Sequence, residues 1–154
     1  MKFGAFSACA LVLLFASPAF SASSPVLFEG TVDATCTLTV TRNGTLGVST
    51  NLQTLSSHVG VGQSGEVSLT TTGGVTLSVD PVTVFTPPSG DVTPITWTPS
   101  YATTGATNFT ERTVSTPIPG PGDSTVSVHL AGTKSGSDRF AAGLYSATVT
   151  VRCE

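Results

Sequence analysis

Charge is scarce in this chain of 154 residues: 10% of it is Asp, Glu, Lys or Arg, with six basic residues against nine acidic. So few cations leave no electrostatic footprint for a nucleic acid, and no nucleic-acid partner is expected. Nor can they lace an exposed helical bundle or a coiled coil. Catalytic groupings are missing as well. Gly-x-Ser-x-Gly does not occur. The acidic residues are scattered singly, so the carboxylate pair of a glycoside hydrolase has no support. The only two histidines, His58 and His129, stand in no ligand spacing. No catalytic residue, metal site or cofactor is expected, and the chain does not read as an enzyme.

One motif tempts. Gly60-Val61-Gly62-Gln63-Ser64-Gly65 matches G-x-G-x-x-G. That fingerprint works only when a helix opens at the glycines and faces a pyrophosphate. Here Glu66–Thr70 follows and reads as a strand, so a loop is expected.

What is abundant points one way. Thr occurs 27 times and Val 18 times, with 16 Gly and 10 Pro. Thr and Val are β-branched and suit a pleated surface; Gly and Pro punctuate it. The fold class expected is all-β, an antiparallel β-sandwich.

The N-terminus reads as an export leader, residues 1–21. Lys2 supplies the positive start, and Ala8–Phe15 is an apolar core of eight residues. That run is short of the roughly 20 residues a membrane helix needs. Small residues at Ala19 and Ser21 suit cleavage before Ala22. A single domain over 22–154 remains, with no membrane span. Losing Lys2 leaves five basic residues against nine acidic, a net charge of −4.

The leader also carries off Cys9, leaving Cys36 and Cys153. Two cysteines in an exported chain read most simply as a disulfide. The other reading is two buried free thiols.

Strand signals fill the rest. Residues 26–40 alternate: Val26, Phe28, Gly30, Val32, Ala34, Cys36, Leu38 and Val40 on one face, mostly Thr and acids on the other. Fifteen residues exceed a usual strand, so a bend near Gly30 is expected. Asn43-Gly44 predicts a hairpin to 45–50, and Thr71-Thr72-Gly73-Gly74 a hairpin between 66–70 and 75–79. Residues 51–65 and 102–108 read as loops. Short strands are expected at 82–85, 95–98, 109–115, 124–130 and 144–153, the last with Tyr145, Ala147, Val149, Val151 and Cys153 on one face. Seven to nine strands make a sandwich. Trp97, Tyr101 and Phe109 either stack on a sugar from loops or are core residues; core or loop packing is favoured.

Two segments carry a resemblance. Val26-Leu27-Phe28-Glu29-Gly30-Thr31-Val32 leads into Cys36, and Ala142-Gly143-Leu144-Tyr145-Ser146-Ala147-Thr148-Val149-Thr150-Val151 closes the chain. The first resembles the opening strand of chaperone–usher pilin subunits. The second is similar to the closing strand of the spore coat U branch of that group. The resemblance implies an incomplete immunoglobulin-like sandwich that lacks its last strand. A periplasmic chaperone lends a strand, and the N-terminal segment of another subunit replaces it at the usher. On this reading the protein is an exported structural or adhesive subunit of a surface fibre. It passes through the periplasm to the cell surface or medium. Val26, Phe28, Gly30 and Val32 are the candidate donor residues, and Tyr145, Ala147, Val149 and Val151 the candidate groove wall.

The chain departs from the pattern twice. The partner cysteine expected near Thr70-Thr71-Thr72 is absent, and few residues precede Phe28. Val26–Val32 is therefore either the donor or the domain's own first strand. A self-contained exported module binding a glycan or surface polymer is the alternative function.

Overall fold

The computed structural model describes residues 21–154; the expected leader lies outside them apart from Ser21. The chain divides into two units, the second spanning Val32–Glu154. Residues 21–31 carry no strand, and all of them are exposed.

The described residues hold twelve strands and no helix. They are β1 (Cys36–Arg42), β2 (Gly47–Val48), β3 (Thr54–Ser56), β4 (Gly65–Thr71), β5 (Val75–Val79) and β6 (Val84–Thr86). There follow β7 (Thr96–Gly105), β8 (Phe109–Arg112), β9 (Thr116–Ile118), β10 (Gly122–Thr133), β11 (Ser146–Thr148) and β12 (Val151–Cys153). Every pairing is antiparallel.

β10 is the spine of a seven-stranded sheet. One edge pairs with β7 from Ser124 to Thr133. The other pairs with β4 over Gly122–Val128, then with β3 over Ala131–Thr133. Ser57 bridges the change of partner: its amide donates to Leu130 O at 3.0 Å, and its hydroxyl accepts from the Leu130 amide at 3.3 Å. β1 is the outer neighbour of β4. The second layer is smaller: β12-β5-β9, continued by the β11–β6 pair. Val67, Leu69, Tyr101 and Val126 of the large sheet pack against Val75, Leu77 and Ile118 of the small one. This is an antiparallel β-sandwich.

Tyr101 ties the layers by more than packing. It is fully buried, and its hydroxyl lies 2.7 Å from Leu77 O, 2.9 Å from Val114 O and 3.1 Å from Thr116 Oγ1. Phe109 meets its ring edge-on at 5.5 Å. Trp97 packs over Gly132 and stands 6.0 Å from Phe85. Tyr101 and Phe109 thus belong to the core, as expected, while Trp97 packs on its neighbouring strand at Gly132 outside it.

Several local expectations are corrected. Strand structure starts at Cys36, so the alternating run 26–40 is strand only in its last third. Asn43-Gly44 closes no hairpin: Thr45 bridges to Gln63 instead, and β2 pairs with β3. β4 and β5 do not pair; Gly73 (φ 88°) and Gly74 (φ 71°) carry the chain from one layer to the other. A Cβ on Gly73 would meet Pro119 O at 2.7 Å, so the crossing needs glycine. Residues 102–105 continue β7 rather than forming a loop, because β10 offers a partner along its whole length. Residues 54–56, within an expected loop, form β3. Gly60–Gly65 is a loop running into β4, without a helix.

Cys36 and Cys153 are disulfide-bonded, with Cα atoms 6.2 Å apart and 117 residues of separation. A loop of that length stabilises by about 5 kcal/mol in the chain-entropy model. Cys153→Ser should lower unfolding free energy by several kcal/mol in urea melts, and reduction of the parent protein should match it. Tyr101→Phe keeps the ring and removes the hydroxyl proton. It should cost about 1–3 kcal/mol by the same measurement, because a buried carbonyl loses its donor.

Candidate functional groove

Of the strands that have one edge unpaired among the described residues, three flank one cleft: β1 in the large sheet, β11 and β12 in the small layer. Cys36 and Cys153 join β1 to β12 at one end. From that bond β1 runs forward to Arg42, while the other wall runs back from Cys153 to Tyr145. No ladder joins them. Between them lies a groove of about 900 Å³.

The groove's physical character follows from period two. One side is the inward face of the large sheet: Leu38 and Val40 of β1, Val67 of β4, Val128 and Leu130 of β10. The other is Tyr145, Ala147, Val149 and Val151, all four of the expected wall residues. The strand is broken at Val149-Thr150, so the expected continuous strand 144–153 is two short ones. Alternation nonetheless persists through the break. Tyr145, Ala147, Val149, Val151 and Cys153 are each half-buried, and the residues between them exposed. None of the four wall side chains is fully buried. Val40, in phase with Leu38 on that face, is 65% exposed at the groove. Apolar side chains that face inward yet stay wet are those a further strand would cover.

The four expected donor residues form no strand. Val26, Phe28, Gly30 and Val32 lie in the strandless N-terminal stretch. Val26 is 73%, Phe28 89% and Val32 81% exposed. A Cβ on Gly30 would touch nothing.

A buried ion pair sets where the second wall begins. The Lys134 ammonium donates to Asp91 Oδ1 and to the Thr93 hydroxyl, and both charged side chains are almost wholly excluded from solvent. Asp91 Oδ2 accepts from the Tyr145 hydroxyl and, at 3.4 Å, from the Ala141 amide. Phe140 closes the cluster, 5.3 Å edge-on from Tyr145 and 5.1 Å from Lys134 Nζ. The chain is thus pinned to the 91–93 turn just before it enters the wall. Burial alone would raise the Asp91 carboxyl. Hydrogen bonds from Lys134, Tyr145 and Ala141, with the Lys134 charge, outweigh it and hold the group well below the usual carboxylate range. Burial and then the Asp91 contact push the Tyr145 phenol up to about 12.

A second cluster, which no local motif signals, gathers His58, Glu111 and His129. They come from the loop after β3, from β8 and from β10, so no linear spacing could announce them. The imidazoles stack with centroids 4.1 Å apart. Glu111 accepts from the Ser100 hydroxyl, and lies 3.1 Å from His58 Nε2. Burial would raise its carboxyl, but the bonds from Ser100 and His58 leave it lowered. Burial lowers the His129 imidazole; Glu111 opposes this and His58 adds to it.

No protein-family model matches this sequence, and neither curated proteins nor solved structures provide a match.

The wall anchor has a pH signature. Asp91's folded value is depressed, so its contribution is whole above the unfolded value near ~3.9 and drains as pH falls below it. Tyr145's is raised, so its share is intact below 10.0 and is lost as pH rises through about 12. Urea midpoints against pH should fall on both flanks. Asp91→Asn strands the Lys134 charge and should cost about 3–5 kcal/mol at neutral pH, while flattening the acid flank.

Proposed function

We propose that the protein is an exported, fibre-forming subunit whose groove receives a β-strand from another chain. The reading rests on one observation: two sheet rims with unpaired edges face each other across an apolar groove of about 900 Å³. Unpaired edges template strand addition. Backbone hydrogen bonds hold the added strand, and alternate side chains fill the pockets. On this reading a periplasmic chaperone shields the groove during export, an usher mediates exchange, and the resident strand comes from a second copy. The sandwich is then an incomplete immunoglobulin-like one of the chaperone–usher type, closest to spore coat U. Cell-surface or extracellular localisation follows from the leader read in residues 1–21.

The strand offered is Val26–Val32. Val26, Phe28 and Val32 recur on one face at the spacing that pockets along an edge require, with Gly30 between them. Their exposure favours a donor over a first strand packed at home. The donor's Val26, Phe28 and Val32 match Tyr145, Ala147, Val149 and Val151 of the wall in being aliphatic or aromatic, and the charged Arg42–Glu66 pair lines the groove at the end of β1 away from the disulfide.

Phe28→Asp tests this. A residue 89% exposed should tolerate the change, so the thermal melt of the subunit should stay within a degree or so. Polymers seen by size-exclusion chromatography should disappear, since the carboxylate would have to enter an apolar groove. Unchanged oligomers in the variant, or a parent protein that stays monomeric after chaperone release, would overturn the proposal.

A further inference from the structure

We propose that His58, Glu111 and His129 form a binding site for a divalent transition-metal ion, with zinc the best fit. The site opens to a hollow of its own, although His129 also borders the groove. Its three ligand groups, two imidazoles and one carboxylate, lie with their donor atoms within 4.8 Å of one another. Tetrahedral zinc with bonds of about 2.0–2.1 Å holds its ligands roughly 3.3–3.4 Å apart. His58 Nε2 and Glu111 are already at 3.1 Å. The largest distance correction is about 1–2 Å, and the stacked rings, 16° from parallel, must also tilt so that both lone pairs meet at one ion; His58, on a half-exposed loop, has the freedom to do both.

Serines support two of the three ligands. Ser100, buried in β7, donates to Glu111. Ser57, also buried, meets His129 Nδ1 at 3.2 Å. Its oxygen already accepts from the Leu130 amide at 3.3 Å and has a second lone pair for an Nδ1 proton. With that proton placed there, Nε2 of His129 is the free donor. Hydrogen bonds behind metal ligands do this work: they fix the tautomer and orient the ring. Three protein ligands leave a coordination position open. The three ligands line a hollow of about 450 Å³ together with Thr98, Arg112 and Thr113, which has room for water or an exchangeable small ligand. Imidazoles in the set favour zinc, copper or nickel over calcium and magnesium, which take oxygen ligands.

The purified, tag-free protein should be titrated with zinc chloride near neutral pH by calorimetry, with thermal melts alongside. One ion per chain should bind and raise the melting temperature, and calcium chloride should do neither. His58→Ala leaves a surface loop residue altered and should keep the metal-free melt while abolishing stoichiometric binding; Glu111→Gln should weaken it. Ser100→Ala, acting through Glu111, should lower affinity about 10–100-fold without removing it. Absence of one-to-one binding, or binding untouched by His58→Ala, would overturn the assignment. In that event the cluster is a histidine stack paired with a carboxylate and nothing more. Because the readout is metal affinity of the subunit, it is independent of whether fibres form.

Discussion

The Cys36–Cys153 bond carries a burden that backbone hydrogen bonds carry in a closed sandwich. β1 has a single ladder partner, β4, and β12 a single partner, β5. On the side where these rims approach, no ladder crosses from one sheet to the other. Apolar burial alone is weak there, because the side chains facing the groove remain partly in water. A covalent link at one end holds the rims in register and leaves the rest of the gap free. Moving the bond toward the middle of the groove would close it; removing it would let the small layer drift from the large one.

That small layer is held elsewhere by two polar devices. Tyr101 reaches across the core from β7 to the carbonyl of Leu77, so the layers share a hydrogen bond as well as apolar contact. Asp91, Lys134 and Tyr145 tie the approach to β11 back onto an earlier turn. A buried ion pair is costly to desolvate and is retained when every lone pair and proton finds a partner. Here Thr93, Ala141 and Tyr145 complete it. The result is a wall that begins at a fixed place although it has no strand neighbour on its groove side.

Legibility in the sequence followed locality. The period-two pattern of Tyr145 to Cys153 survives in the folded chain through a strand break, because side-chain alternation needs only extended backbone. The same pattern over Val26–Val40 overran the strand. Alternation reports what a segment can do, and β4 offers ladder partners only from Cys36 on. Asn43-Gly44 and Gly73-Gly74 were legible as turns but not as to what they join, since pairing is decided by β10, far away in sequence. The disulfide was legible because only two cysteines, Cys36 and Cys153, lie after residue 21. His58, Glu111 and His129 were not, because three separate elements must fold before they meet.

The proposed exchange also has an energetic logic that selects strand addition over mere apolar docking. Burying Val26, Phe28 and Val32 is worth roughly 5–9 kcal/mol at about 1.5–3 kcal/mol for each side chain. Ordering the seven residues from Val26 to Val32 costs roughly 7–14 kcal/mol in backbone entropy. Apolar contact therefore falls short by itself, and the difference must come from elsewhere. New ladder bonds at about 0.5–1.5 kcal/mol each are of the right size to supply it. They form only if the receiving edges are unpaired before the strand arrives. A groove that was apolar but lined by satisfied edges would hold such a segment poorly. The open rims of β1, β11 and β12 are thus the condition under which a short, glycine-containing segment could be held at all.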